Sequence, residues 1–382
     1  MKAINLPHQN VTCKLKNKNL IIEIKEPFKT ISSAIYNGGI CSIKTILNHQ
    51  VPMDFNNPCP ESYIADITKK LNLVEPVIGL LTAANTSNVS VKTRIYASNE
   101  SVSVLATAGV SNSITVGDET DLSCVGIGTI NLIVLIDGNL TDGCLVETIK
   151  TITEAKTVAL RELDVRSISS KRVATGTTTD AVVVTCTGNG KKNNYAGAAT
   201  DLGRTLSITV IEAVKDALRR DGRLTAGRLL SVRLEEVGIT TKDIMDAIME
   251  HLVYHPSMGS KEKIMNILQR ELGKAMSDVN IASLILAGMR LEEDGRTGLI
   301  PGIDATAFAT DPVFLLADEI LGLGIANYIA GSRGVFEFVR FDKNKPGIIK
   351  KLGPFMDDVI GGIAAGASSN MYTKLSAKRK QK

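Results

Sequence analysis

Tryptophan is absent from this chain of 382 residues, aromatic side chains make up only 4 %, and the formal net charge is +4. So few aromatics and so slight a charge leave neither a stacking platform for bases nor a basic stripe along a groove, and no nucleic acid is expected as a partner. No uninterrupted apolar run reaches the roughly 20 residues of a spanning helix, so no transmembrane span is expected. The opening MKAINLPHQN leads into polar residues rather than an apolar core, unlike a secretory leader. The cysteines at 13, 41, 59, 124, 144 and 186 contain no CxxC spacing. Structural zinc and a disulfide framework are therefore not expected, and the reading is of reduced thiols in a cytoplasmic protein. GNGKKNNYAG is not the GxxxxGK[ST] of a phosphate loop, and Glu250, His251 and His255 do not stand in the HExxH order of a zinc protease.

What is present suggests two domains, because one hydrophobic core seldom serves so long a chain. Through the first half, alternating or apolar β-branched stretches are separated by turn residues: VTCKLKNKNLIIEI, VIGLLT, SVSVLATA, GTINLIVLIDG and AVVVTCTG. Helices are expected over about 60–71, 141–162 and 198–220. This is a mixed layered α/β or α+β domain. After the charged, glycine-bearing ALRRDGRLTAG the strand pattern fades, and an all-α helical bundle of six or more helices follows. Among these helices, one starts at a Thr cap and stops at Pro256, and another starts at Asp311-Pro312. The expected division is 1–221, 222–374 and a basic tail 375–382.

Two acidic pairs stand out in the bundle. Asp357 and Asp358 open the apolar, Gly/Ala-rich helix that follows Gly353-Pro354, and Asp318-Glu319 lie within FLLADEILGLGI. One aspartate at a helix start is a cap; a buried pair needs a partner or a metal. Paired carboxylates in apolar surroundings suit a hard cation such as Mg²⁺, which is held together with substrate phosphate. Arg333, Lys345, Lys350 and Lys351 are the candidates for phosphoryl oxygens. A charged helix start on a solvated face is the plain alternative. In the first half, Asp180 and the hydroxyls Thr177 and Thr178 of TGTTTD, together with His49 and Asp54, are candidate catalytic groups, although hydroxyls also cap and turn. No cofactor is expected with certainty there. Loops 83–88 and 109–113 offer amides and hydroxyls to a polar ligand.

The blocks GLLTAANTSN, GTINLIVLIDGNLTDGCLVETIKTITEAKTVALRELDV, ATGTTTDAVVV and YAGAATDLGRTLSITVIEAV resemble the adenosylcobinamide amidohydrolase family over about residues 20–220. The resemblance implies hydrolysis of the amide between aminopropanol and the corrin, yielding adenosylcobyric acid. ADEILG and MDDVIGGIAAG resemble the two acidic motifs of the phosphatidylglycerophosphatase A superfamily, although YHPSMGSKEK replaces the opening motif usual there. Residues 225–375 are more similar to the archaeal α-ribazole-5′-phosphate phosphatase branch. Together these resemblances imply a bifunctional hydrolase of cobamide salvage acting on adenosylcobinamide and α-ribazole 5′-phosphate, with Asp318, Glu319, Asp357 and Asp358 holding Mg²⁺. Two alternatives stand beside it: a lipid phosphate phosphatase in the second half, or a cobamide-binding or assembly protein with a degenerate amidase half. Association into a homo-oligomer is left open.

Overall fold

The β-branched stretches of the first half form nine strands of one curled sheet, backed by two long helices. The computed structural model describes residues 2–8, 10–96, 100–119, 128–222, 224 and 226–377. Cys124 and the basic residues after 377 lie outside them. Two units are distinct, Met1–Gly227 and Arg228–Lys382. In the first, the order is β1 (Lys2–Ile4), β2 (Val11–Lys16), β3 (Asn19–Ser32), β4 (Gly39–Gln50), α1 (Pro60–Lys70), β5 (Val77–Thr82), β6 (Ser90–Ile95), β7 (Ser101–Ala108), β8 (Ile130–Asp137), α2 (Asp142–Glu162), β9 (Ala181–Cys186) and α3 (Asp201–Asp221).

Long β3 is the spine of the sheet. Its residues 19–24 pair with β2 and residues 29–32 with β9, while β4 runs antiparallel along the other edge and carries β5 parallel to itself. The register shifts between Glu23 and Phe28, a bulge of the kind that bends a strand and curls its sheet. β8 lies parallel to β9, with β7 and then β6 beyond it. Leu132 and Val134 of β8 face Ile152 of α2 and Leu206 and Val210 of α3. Ile133 and Leu135 face the inside of the curl with Leu20, Ile46 and Leu80. Burial of both faces explains why LIVLI, residues 132–136, is apolar throughout instead of alternating. Asn17 and Lys18, at φ 48° and 65°, make the tight turn expected between β2 and β3.

The second unit is helical: α4 (Leu230–Glu236), α5 (Thr241–Glu250), α6 (Lys261–Met276), α7 (Val279–Arg296), α8 (Ala305–Phe308), α9 (Ala317–Ala330), α10 (Ser332–Asn344) and α11 (Pro354–Ala377). α11 is its axis. Every residue from Pro354 to Ser369 is buried, against α5, α6, α7, α9 and α10. Glycines let α9 approach it closely: a Cβ on Gly322 would lie 2.6 Å from the carbonyl oxygen of Asp358, and one on Gly366 would lie 2.6 Å from Ile329.

Several helix limits differ from expectation. α5 ends at Glu250, with His251 as its C-cap, so Pro256 does not stop it and His255 is not on its face. Asp311 does not cap a helix; it sits at φ 51° in an irregular segment, and α9 begins only at Ala317. α10 was not expected as a helix at all. At the chain end, residues 375–377 continue α11.

Candidate functional site

α9 and α11 run in the same direction, Gly322 lying against Asp358 and Ile329 against Gly366. Their N-terminal ends therefore stand side by side, and each end brings an acidic pair. Oxygens of Asp318, Glu319 and Asp358 lie within 4.8 Å of one another. Asp318 and Asp358 are 1 % and 4 % exposed, and Glu319 is half-buried. Two positive helix ends offset part of this negative charge, but only part. Burial, then the hydrogen bond and charge of Glu319, push Asp318 up to about 8. Burial, then the charges of Asp357 and Asp318, push Asp358 to about 8 as well.

Asp357 stands apart from this trio. Its Oδ2 accepts from Lys345 Nζ at 2.6 Å, and the same ammonium reaches Asp311 at 3.2 Å. Burial raises Asp357 to about 6 even though Lys345 opposes the shift. Burial also disfavours the Lys345 ammonium, but its bonds to Asp357 and Asp311 outweigh that and carry it above the usual lysine range. Among the described residues, two buried oxygens of this site, Oε2 of Glu319 and Oδ1 of Asp357, have no hydrogen-bond partner. Closely spaced buried carboxylates with unsatisfied oxygens fit a hard divalent cation, which takes oxygen ligands and supplies the missing positive charge. Asp318, Glu319 and Asp358 could hold it.

Other candidates fall elsewhere. Arg333 donates to Thr373 Oγ1 at 2.8 Å, about four turns further along α11 than Asp358, so it does not reach the carboxylates. Lys350 and Lys351 are exposed on a 3-10 turn before α11. Two acidic residues escaped sequence reasoning. Asp342, raised by burial, is close enough to feel Lys345, Glu319 and Asp311. Glu292, 4 % exposed, accepts from Phe355 N at 3.1 Å and so caps α11 from α7. Between Asp311 and Asp318 lies an apolar lip: Val313, Phe314 and Leu316 are 94 %, 68 % and 58 % exposed.

In the first unit a cavity of about 530 Å³ opens among the β4–α1 loop (Val51, Phe55, Asn57), the end of β5 (Leu80 to Ala83), and Thr129, Thr179 and Asp180. The Thr129 and Thr179 hydroxyls are 2.8 Å apart, both near the Gly128 carbonyl. Asp180 is fully engaged. Oδ1 accepts from Ile130 N at 3.0 Å and from the Thr177 hydroxyl, and Oδ2 accepts from Thr177 N at 3.1 Å and from Lys156 Nζ. Four donors fill the roughly four acceptor positions of a carboxylate. Thr178 accepts from Asn112 at 2.6 Å. Lys156 was missed by sequence reasoning.

His49 lies behind the cavity wall. Its Nδ1 meets Asn19 Oδ1 at 2.6 Å and its Nε2 meets the Tyr63 hydroxyl at 3.2 Å, while the Tyr63 ring packs on Phe55. Burial, helped by Lys18, lowers its pKa. Asp54 is exposed in the loop that ends at the cavity. Of the two loops expected to grip a polar ligand, 83–88 contributes Ala83 to the lining and 109–113 contributes Asn112 behind Thr178.

The chain thus joins two hydrolase-type catalytic domains. Residues 5–226 match the adenosylcobinamide amidohydrolases, and the chain belongs to that family. Residues 276–373 match phosphatidylglycerophosphatase A, which gives the helical half a phosphatase-like fold. An adenosylcobinamide amidohydrolase of Methanosarcina mazei is 34 % identical over 217 residues, 54 % of this chain and 98 % of that protein. The uncharacterized protein MJ1330 of Methanocaldococcus jannaschii is 35 % identical over 132 residues, 34 % of this chain and 99 % of that one. A crystal structure of the low temperature requirement C protein from Listeria monocytogenes, 27 % identical, covers 38 % of this chain and 93 % of its own at a TM-score of 0.34. Among the described residues, no helix is long and apolar enough to cross a membrane.

Proposed function

We propose that the sheet half cleaves the aminopropanol amide of adenosylcobinamide at its cavity, and that the helical half is a metal-assisted phosphomonoesterase. The family membership of residues 5–226 carries the first reading. The Thr129 and Thr179 hydroxyls, whose protons go to the Gly128 carbonyl or to each other, offer acceptor oxygens to the N–H of the scissile amide, and Asp180, saturated with donors, holds them in place. The cluster of Asp318, Glu319 and Asp358 carries the second reading. These three would hold Mg²⁺, which when bound neutralises phosphate charge and polarises the ester. Asp357, with one oxygen free, orients the attacking water, and Lys345 beside it contacts a phosphoryl oxygen.

The apolar lip bordering the carboxylates favours a phosphate ester with an apolar alcohol part, and the match to phosphatidylglycerophosphatase A points to a lipid phosphate. A second substrate, α-ribazole 5′-phosphate, is favoured by the amidohydrolase half in the same chain, because both reactions would serve cobamide salvage. The test is phosphate release from phosphatidylglycerophosphate in detergent and from α-ribazole 5′-phosphate, each titrated with Mg²⁺, beside aminopropanol release from adenosylcobinamide. Turnover of the lipid alone supports the first substrate and turnover of the nucleotide alone the second. Metal-independent release would sink the metal reading, and tight adenosylcobinamide binding without cleavage would leave a binding protein.

A further inference from the structure

Lys156 projects from α2 and is 9 % exposed, with its ammonium on Asp180. Helix residues of this type normally face water, and a buried lysine is tolerated only when its charge is met. The position of its partner gives the pair a purpose. Asp180 directly follows Thr179, and one of its oxygens accepts from the amide of Ile130, which directly follows Thr129. The carboxylate therefore ties together the two segments whose hydroxyls meet at 2.8 Å on the cavity. Thr177 binds the same carboxylate through both its amide and its hydroxyl, which closes the turn between Gly176 and Asp180.

The surroundings are shaped to the pair. A Cβ on Gly176 would lie 2.6 Å from Asp180 Oδ2 and 2.8 Å from Lys156 Nζ, so any larger residue displaces one charge or the other. The next residue of α2, Thr157, shares its hydroxyl proton between the Thr153 carbonyl of its own helix at 3.0 Å and the Thr175 carbonyl at 3.2 Å, so it reaches the start of the same turn. Lys156 does not itself line the cavity.

We infer that Lys156 is a positioning residue of the amidohydrolase half: through Asp180 it fixes the turn 176–180 against the start of β8, and so sets the Thr129–Thr179 hydroxyl pair for the amide. This rests on the reading that the cavity is the amide-cleaving site. Displacing a positioned group by about 1 Å can cost on the order of 100-fold in turnover.

The experiment compares full-length Lys156→Met, Lys156→Arg and Gly176→Ala with the native chain, with fold checked by near-ultraviolet circular dichroism. In aminopropanol release from adenosylcobinamide, Lys156→Met is expected to lower kcat on the order of 100-fold with KM within about threefold. Lys156→Arg, which keeps a charge on Asp180, should recover at least about tenfold of that loss. Gly176→Ala keeps both charges but pries them apart, and should lower kcat even if Lys156→Met fails to fold. A folded Lys156→Met with native kcat, a loss confined to KM, or equal loss in Met and Arg would overturn the inference. A second readout does not need turnover: in a crystal structure of Lys156→Met or Gly176→Ala, the Thr129 and Thr179 hydroxyls should separate beyond hydrogen-bond reach. An unchanged spacing overturns the positioning role even if the native chain cleaves no amide, whereas absent cleavage with altered spacing counts against the cavity reading alone.

Discussion

Asp357 and Asp358 are neighbours in sequence but are placed differently, one on Lys345 and the other with Asp318 and Glu319. The substitutions Asp318→Asn and Asp357→Asn should accordingly fail in different ways. Asp318→Asn removes one of the three clustered carboxylates, so Mg²⁺ affinity by calorimetry is expected to drop at least about tenfold along with phosphate release. Asp357→Asn should bind Mg²⁺ within about threefold of native and still lose most turnover; equal loss of metal by both variants would return Asp357 to the ligand set. Gly353 belongs to the same neighbourhood, because a Cβ there would run into the Glu292 carboxylate that caps α11. Gly353→Ala should destabilise the helical half by about 2 kcal/mol in urea unfolding, as loss of a buried cap does. No such cost would mean that Glu292 is dispensable to the helix start.

Among the elements, the segment Asp311–Leu316 joins two parts of the acidic site and keeps Val313, Phe314 and Leu316 in water. It is anchored from below, where Leu315 packs with Phe308 and Phe355, whose rings stack at 6.1 Å. If the lip receives the alcohol part of the substrate, Phe314→Ser should raise KM for an apolar phosphate ester about tenfold and leave KM for a small polar phosphomonoester unchanged. An equal change for both esters would remove the lip from substrate binding. The strands β8 and β9 and the helices α2 and α3 could be read from sequence because their patterns are governed by local burial: apolar runs for two-faced strands, and apolar faces such as Leu145 and Ile152 or Leu206 and Val210 for the helices. α10 was hidden because its buried stripe includes Gly334 and Glu337 while Phe336 and Val339 face water, although Phe338 and Phe341 turn inward at helical spacing. The acidic pairs were visible because charge is rare in apolar stretches. Lys156 and Glu292 were not, because a charged residue on a helix reads as a solvated face until its tertiary partner is known.

At the scale of the whole molecule, the helical half holds unbalanced buried acid, whereas the half-buried Asp180 of the sheet half has its own lysine. This difference should separate the two halves in their response to pH. Asp318 and Asp358 at about 8, and Asp357 at about 6, bind protons in the folded state that the unfolded chain has already released near pH 4. Folding therefore takes up protons at these carboxylates across that interval, and their contribution to stability falls as pH rises from about 4 to about 8 when no cation is present. A divalent cation that binds only the folded, ionised cluster opposes the fall by mass action. In calorimetric scans with EDTA, the transition of the helical half is expected to move down by several degrees between pH 5 and pH 8. Millimolar Mg²⁺ should restore it at pH 8 and do much less at pH 5, where protons already occupy the carboxylates. Asp318→Asn, which removes one of these acids, should flatten the pH dependence and weaken the Mg²⁺ response together. A helical-half transition that rises with pH in EDTA, or that gains as much from Mg²⁺ at pH 5 as at pH 8, would show that the cluster is neither strained by its charges nor relieved by a metal.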